Sequence, residues 1–330
     1  VRNRSIPLNT GFSTSWDFQP LALPDPNSLD LARPERIFLF YTEIGSALDL
    51  IADQDSLKRR RARYLSVYDV FTGQLSVLDS VFARGLTSAT AAIRHPSGDG
   101  YWILMTSHVP VSRVLAYRLS SAGLNPNPIE SIGEGAGPIA LGGPDDQVFK
   151  DISDFQESLH FSPTGDKFAR LRGPAFYSSP TNIELWDFDA NTGQATFTRD
   201  IFRNISGLGG TAWSKAGDYV YVVQADTLPG KAARGSRDTS YLVRRKIDDP
   251  SLLARDPLFP PPGDTIANYF FSNCTHSLGK GPNGRIYLGA CDVLEVRNTD
   301  ATSPDTVTVH FDPTRRRTGF TRYPIQPILD

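Results

Sequence analysis

The sequence predicts an all-β fold of the β-propeller class, built from WD-like antiparallel blades. Three observations predict it: 27 Gly and 25 Pro set among short apolar runs, a repeated strand–turn–strand unit, and strands in which apolar and polar residues alternate. Five units are clear. At roughly 40–50 residues per blade, a chain of 330 residues has room for up to seven.

Four of the units share one pattern, in which an apolar strand is followed by a polar turn with glycine and a second apolar strand. Gly and Asn tolerate the positive φ that tight hairpin turns need. The four segments are 91–107, 159–173, 211–225 and 276–290, with turns at Gly98, Gly165, Gly217 and Gly284. An earlier unit, 36–45 with 64–80, fits more loosely, and each hairpin is followed by a further alternating strand.

Stacking such sheets radially buries the faces that none of them buries alone, so we expect a single propeller domain over residues 1–330. The terminal segments 1–33 and 305–330 are expected to close the ring or to contact partners, and 14–18 can pair with 307–311. Candidate inserted loops, rich in Gly, Pro and Asp, are 133–154, 228–239 and 256–266.

The order of seven strand and turn segments resembles a known family. These are FLFYTEIG (38–45), IRHPSGDGYWILMTS (93–107), LAYRLSSAGL (115–124), LHFSPTGDKFA (159–169), IELWDFDANTGQ (183–194), AWSKAGDYVYVV (212–223) and LGKGPNGRIYLG (278–289). Their order resembles the N-terminal propeller of large secreted cell-surface proteins of Bacteroidota. The resemblance implies type IX secretion, an extracellular or cell-surface location, and a longer parent chain with PKD-type or Ig-like domains.

A short motif agrees with that location. Asp followed by Ser or Thr and then an apolar residue is the O-glycosylation sequence associated with those bacteria. It places candidate glycosylation sites at Ser56, Ser80, Thr227, Thr265 and Thr306. The alternative is that these are ordinary Asp-Ser and Asp-Thr pairs of loops.

The two cysteines flank the last clear hairpin. A fold in which 276–290 forms a hairpin brings Cys274 and Cys291 close together, and an exported protein with such a pair is expected to form a disulfide. The bond would contribute roughly 3 kcal/mol by the chain-entropy model. The alternative is two buried free thiols.

Candidate metal ligands are acidic. Asp145, Asp146, Asp151 and Asp154 form the best candidate for Ca²⁺ held by a loop, and no other cofactor is expected. Asp187, Asp189 and Asn191 begin like a calcium loop, but a hairpin turn explains them more simply. Three histidines lie near the first strands of their repeats, at unequal offsets that favour structural roles over a shared site: His95, His160 and His276.

Several function classes are excluded or disfavoured. A net charge of −2 argues against a nucleic-acid binder, and no apolar run is long enough for a membrane-spanning helix. The nucleophile-elbow, zincin and P-loop motifs are absent. The basic runs 58–63 and 315–317 can bind an anionic glycan or an acidic protein surface, or can simply be solvated.

The sequence therefore favours an exported, non-enzymatic binding or structural module, with adhesion to a protein or glycan partner at the cell surface. Two alternatives remain open. One is a propeller hydrolase, lactonase-like or glycan-cleaving, with a Ca²⁺-dependent site. The other is a self-assembling subunit of an extracellular filament.

Overall fold

In the computed structural model, most of the described residues lie in β-strands. The structure describes residues 21–28, 30, 33–42, 63–83, 89–107, 113–133, 158–172, 181–205, 208–225, 239–249, 264–270, 277–280, 285–289 and 293–311. Within these ranges the only helical element is a short 3₁₀ helix, Pro304–Thr306. No helix there has the length and apolar character of a membrane span.

The described strands form five antiparallel sheets. Sheet 1 contains β1 (Leu21–Pro24), β2 (Arg36–Thr42), β3 (Arg63–Asp69) and β4 (Gln74–Ala83). Sheet 2 contains β5 (Thr90–Arg94), β6 (Tyr101–Ser107), β7 (Arg113–Ser120), β8 (Gly123–Leu124) and β9 (Ile129–Ile132). Sheet 3 contains β10 (Ser158–Phe161), β11 (Lys167–Arg172), β12 (Thr181–Asp189) and β13 (Gln194–Ile205). Sheet 4 contains β14 (Leu208–Trp213), β15 (Tyr219–Ala225), β16 (Thr239–Lys246) and β17 (Asp264–Phe270), and sheet 5 contains β18 (Ser277–Lys280), β19 (Ile286–Gly289), β20 (Val293–Arg297) and β21 (Thr308–Phe311).

Each sheet is a meander in which strands pair in chain order, except that β9 pairs beside β8 on β7. The first hairpins turn where the sequence predicts. Gly98, Gly165 and Gly217 have φ of +79°, +76° and +88°, which suits glycine because a side chain is disfavoured there. The fourth predicted turn, at Gly284, lies outside the described residues.

The chain divides into two compact units. Unit 1 contains sheets 1 and 2 together with the hairpin tip Asp189–Thr196, and unit 2 contains the rest of sheet 3 with sheets 4 and 5. Within unit 1, β1 lies beside β5, and within unit 2, β14 lies beside both β10 and β18. Side-by-side first strands are the arrangement of propeller blades. The predicted all-β class with propeller-type antiparallel blades is confirmed, and five blades are described; a sixth or seventh stays a prediction.

Apolar side chains fill the spaces between neighbouring sheets. In unit 1 the core between sheets 1 and 2 contains Leu23, Phe40, Ile103, Met105 and Leu119. In unit 2 one core joins sheets 3 and 4, and a second joins sheets 4 and 5. Strands place alternate residues on opposite faces, so Val220 and Val222 face the core with sheet 3 while Tyr221 faces the core with sheet 5. Sheet 4 is covered on both faces, and every residue of the run Val220–Val222 is therefore buried.

A charged pair lies inside sheet 3. Arg170 and Glu184 are directly opposed on β11 and β12, with guanidinium and carboxylate 3.6 Å apart and both side chains buried. The indole N–H of Trp186 donates to the same carboxylate oxygen at 2.9 Å. Removing one partner of such a buried pair strands the other charge, so the core of this sheet requires both.

Some strands of the structure were not predicted from the sequence. The short β1, within the predicted terminal segment, is the first strand of sheet 1, and β17 begins inside the predicted loop 256–266. Residues 308–311 are a strand as predicted, and they pair with β20 as the fourth strand of sheet 5. The expected partner segment 14–18 lies outside the described residues, so the pairing of the two ends stays a prediction, as does the single domain.

His160 on β10 gives the fold a pH dependence. Burial lowers its pKa from 6.5 to about 4. Between these two pH values the imidazole is neutral in the folded chain and protonated in the unfolded chain. Its contribution to stability is therefore complete above pH 6.5 and is lost as the pH falls toward 4, a loss of about 3 kcal/mol. We expect urea denaturation to show this loss between pH 7 and 4. The variant His160→Gln should lose less over the same range, and equal pH slopes would contradict the prediction.

Candidate functional site

Two hairpin turns of the chain have nearly the same sequence. The turn between β3 and β4 reads Asp-Val-Phe-Thr-Gly-Gln, and the turn between β12 and β13 reads Asp-Ala-Asn-Thr-Gly-Gln. The first, Asp69–Gln74, is named the open tip, and the second, Asp189–Gln194, the seated tip. Both belong to unit 1.

The two tips share one internal hydrogen bond, from the glycine N–H to the aspartate carbonyl, and in each the aspartate carboxylate also accepts from a backbone N–H of the turn. In the open tip, the Gly73 N–H donates to the Asp69 carbonyl at 2.9 Å and the Thr72 N–H donates to the Asp69 carboxylate at 2.7 Å. This last bond is the main cause that lowers the pKa of Asp69. In the seated tip the Gly193 N–H donates to the Asp189 carbonyl at 2.7 Å. Each turn is therefore held in one shape by an ionised aspartate at its base.

The seated tip lies on an indole ring of sheet 2. The Trp102 Nε1–H donates to the Ala190 carbonyl at 2.6 Å. Gly193 is buried against the same ring, so that a Cβ at this position would come within 2.6 Å of a ring carbon. Only glycine permits this approach, because any side chain would displace the indole. The contact combines a hydrogen bond with flat packing.

The ring of Trp102 is held in place by its neighbours. The Arg118 guanidinium lies 5.7 Å from the ring centre and donates to the Leu119 carbonyl at 2.7 Å. The His95 ring lies 6.0 Å from Trp102, with Nδ1 2.8 Å from the Ser97 hydroxyl. Desolvation, followed by the charge of Arg118, lowers the pKa of His95. His95 thus supports the indole, as the structural interpretation of this histidine predicts.

A second turn is held in a similar way in unit 2. The Tyr221 hydroxyl donates to the Thr299 carbonyl at 2.8 Å, and Arg244 donates to the Ala301 carbonyl and, at 3.0 Å, to that of Thr302. These carbonyls belong to the segment between β20 and β21. Burial raises the pKa of Tyr221 to about 12, so the phenol keeps the proton that it donates.

The two receiving surfaces share one feature, an aromatic residue opposite an arginine, although Arg118 donates to carbonyls of its own sheet and Arg244 donates to the received turn. Trp102 is directly opposed to Arg118 across β6 and β7, and Tyr221 is directly opposed to Arg244 across β15 and β16. Each surface is named an aromatic–arginine pair. A simpler donor, the Asn27 amide, binds the Ser121 carbonyl in the turn between β7 and β8 at 3.1 Å. Turns after third strands are therefore repeatedly fixed by a side-chain donor.

The open tip lacks this cover. Val70 is 42% exposed, Phe71 is 80% exposed, and Gly73 is exposed where Gly193 is buried. A Cβ on Gly73 would meet only the Tyr68 hydroxyl, at 3.8 Å. Within the described part of the chain, no side chain donates to the Val70 carbonyl. The open tip is thus a similar turn that exposes Val70, Gly73 and, most of all, Phe71.

The sequence pattern that identifies this site is Asp-x-x-Thr-Gly-Gln, which is repeated at the two tips. The predicted hairpin reading of Asp187, Asp189 and Asn191 is confirmed, because Asp187 accepts from Lys167 at 2.7 Å and Asp189 accepts from the Asn191 N–H at 2.9 Å.

The predicted calcium ligands Asp145, Asp146, Asp151 and Asp154 lie outside the described residues, as does His276. Among the residues with described positions, no three His, Cys, Asp or Glu side chains form a group that could hold a metal. Several of the described carboxylates contact cations. Glu295, for example, is held by Arg285 at 2.6 Å and Arg297 at 3.2 Å, which helps to lower its pKa against the effect of burial.

The remaining predicted sites are only partly visible. Cys274, Cys291, Ser56 and Thr227 lie outside the described residues, so the disulfide stays a prediction. Ser80 and Thr265 lie within strands β4 and β17, opposite Leu65 and Val243. Thr306 ends the short 3₁₀ helix, is exposed, and donates its hydroxyl to the Ser303 carbonyl at 2.8 Å.

Comparison with known proteins gives no family. No family model matches the chain, and no curated protein matches it.

Solved structures show only distant likeness. Chaetomium thermophilum Sqt1, solved with the N-terminus of ribosomal protein L10, is 14% identical, with a TM-score of 0.41 over 85% of this chain and 60% of Sqt1. The periplasmic gluconolactonase PpgL of Pseudomonas aeruginosa is 12% identical, with a TM-score of 0.44 over 84% and 68% of the two chains. Kuenenia stuttgartiensis hydrazine synthase is 13% identical, with a TM-score of 0.35 over 83% and 75%. At these identities and TM-scores, none indicates what this chain binds or catalyses.

The packing of the seated tip predicts a difference between two matched glycine variants. Gly73→Ala and Gly193→Ala both place alanine at positive φ, +68° and +79°, which costs about 1–2 kcal/mol. At position 193 the new methyl also enters the Trp102 ring, and overpacking of this kind adds about 1–3 kcal/mol. We expect urea denaturation to show the larger loss for Gly193→Ala. Equal losses in the two variants would contradict the docking of the seated tip on Trp102.

Proposed function

We propose that this chain is a non-enzymatic protein-binding module of an exported cell-surface protein, and that the open tip is its contact element. The observation that carries the proposal is the exposure of Phe71, 80%, on a turn held rigid by Asp69 and Gly73. Leaving a phenylalanine in water forgoes about 1.5–3 kcal/mol of burial energy, which binding to a partner would recover.

The chemistry of the open tip favours a protein over a glycan. Phe71 stands beside Val70 and on the same hairpin as Leu75, which is 37% exposed, so the tip exposes three apolar side chains. A protein pocket binds apolar side chains through burial, whereas a glycan would bind the polar groups of the tip, of which the Asp69 carboxylate already accepts from the Thr72 N–H. A rigid turn also loses little conformational entropy on binding.

A photo-crosslinker placed at the tip tests this function. p-Benzoylphenylalanine is introduced at Phe71, and in a matched chain at Asn191, the corresponding residue of the seated tip, which is also exposed. Both chains are produced in the organism of origin and irradiated. We expect a protein adduct from position 71 that position 191 does not give, and Phe71→Ala chain added in excess should compete poorly for the partner.

The matched position decides the outcome. Identical adducts from 71 and 191 would show general surface contact, and the absence of any protein adduct at 71 would contradict the proposed function. An adduct between two copies of this chain would support self-assembly as the form of binding.

The proposed location outside the cell rests on the resemblance to secreted surface proteins, and Thr306 offers a test. Its hydroxyl is on an exposed residue that follows Asp305 and precedes Val307. We expect mass spectrometry of the chain purified from its organism to find a glycan on the peptide with Thr306, which Thr306→Ala removes. An unmodified peptide in material collected from the cell surface would contradict glycosylation at this site.

A further inference from the structure

The chain itself shows what kind of surface receives a tip of this shape. This inference rests on the proposed function, since it concerns the partner of the open tip. The seated tip and the open tip share four of six residues, the same glycine hydrogen bond and glycines at φ of +79° and +68°. A surface that fits one backbone therefore fits the other, apart from the side chains of Val70 and Phe71.

The received turns define three requirements for that surface. A side chain must donate an N–H or O–H to the first turn carbonyl, as Trp102 does to Ala190. A flat ring must face the glycine, as the indole faces Gly193. An arginine opposite the ring on the adjacent strand must either pack on the ring, as Arg118 does, or donate to the turn carbonyls, as Arg244 does.

The open tip adds two requirements of its own. Asp69 places a carboxylate at the base of the tip, opposite Arg36 of this chain, and an arginine of the partner adds a second matching charge. Phe71 replaces the polar Asn191 of the seated tip, so the partner must offer an apolar recess beside the ring.

Among the described residues, the aromatic–arginine pairs at Trp102 and Tyr221 both hold turns of this chain. Arg94 is also directly opposed to an aromatic residue, Tyr101, but that ring is buried in the core between sheets 1 and 2. These described pairs leave no receiving surface for the open tip, so we look for one on a different protein.

We propose that the open tip docks on a partner protein through a tryptophan or tyrosine directly opposed to an arginine on two antiparallel strands, with an apolar recess for Phe71. The ring packs on Gly73 and its N–H or O–H binds the Val70 carbonyl. This continues, between two proteins, the turn contact that the chain makes internally at Trp102.

Binding of short β-hairpin peptides to the full chain tests the proposal, because each peptide presents one version of the proposed receiving surface. The probes are disulfide-closed β-hairpin peptides with Trp opposite Arg, with Leu replacing the Trp, or with Glu replacing the Arg. 4-Fluorophenylalanine at position 71 reports binding by ¹⁹F NMR, and the same label at position 191 is the control. We expect a saturable shift at 71 with the Trp/Arg hairpin, and binding at least about tenfold weaker for both altered peptides.

A protein variant gives a second measurement. Gly73→Ala adds a methyl on the face that meets the ring. The positive φ strains the alanine, but its methyl meets only the Tyr68 hydroxyl, at 3.8 Å, so the variant should fold and bind the Trp/Arg hairpin more weakly. Equal binding of all three peptides, no binding, or an unchanged affinity for Gly73→Ala overturns the proposed receptor. A protein adduct from position 71 in the crosslinking experiment would still stand, so failure here is distinct from failure of the proposed function.

Discussion

A hydrogen bond to the carbonyl of a turn is the interaction on which each covered turn of this chain depends. The turn after a third strand leaves a peptide carbonyl outside the ladder, and covering it with another sheet is costly unless a donor reaches it. Trp102 reaches Ala190 and Tyr221 reaches Thr299, at 2.6 and 2.8 Å. Because both donors are on rigid rings, the hydrogen bond also fixes how the turn packs.

The ionisation states of the side chains that hold the turns suit this role. The Tyr221 phenol stays protonated because burial raises its pKa to about 12, and the aspartates at the bases of the tips stay charged because turn N–H groups lower their pKa. Arg244 lies 4.2 Å from the centre of the Tyr219 ring, which balances its burial with a cation–π contact. The side chains that donate and accept hydrogen bonds at these turns therefore keep the same ionisation states over a wide pH range around neutrality.

The hairpins were predictable from the sequence because their causes are local: a glycine at positive φ and alternation on either side, as at Gly165 and Gly217. The short β1 was missed because four residues carry too little alternation to separate them from a loop. The exposure of Phe71 could not be predicted, because the same turn is covered at Gly193 and free at Gly73, and the difference lies in a distant strand. The predicted disulfide and calcium ligands lie outside the described residues and stay predictions.

The near identity of the two tips has a consequence for how such a chain can change over generations. A six-residue turn of this kind is covered at Ala190 and Gly193 and exposed at Val70 and Phe71, with the same glycine hydrogen bond in both places. Only Val70 and Phe71 separate the open tip from Ala190 and Asn191 of the seated one. Under the proposed function, duplication or loss of a sheet would expose a turn that is already ordered for binding. Substitutions at the two positions that differ between the tips would then change which partner the turn binds.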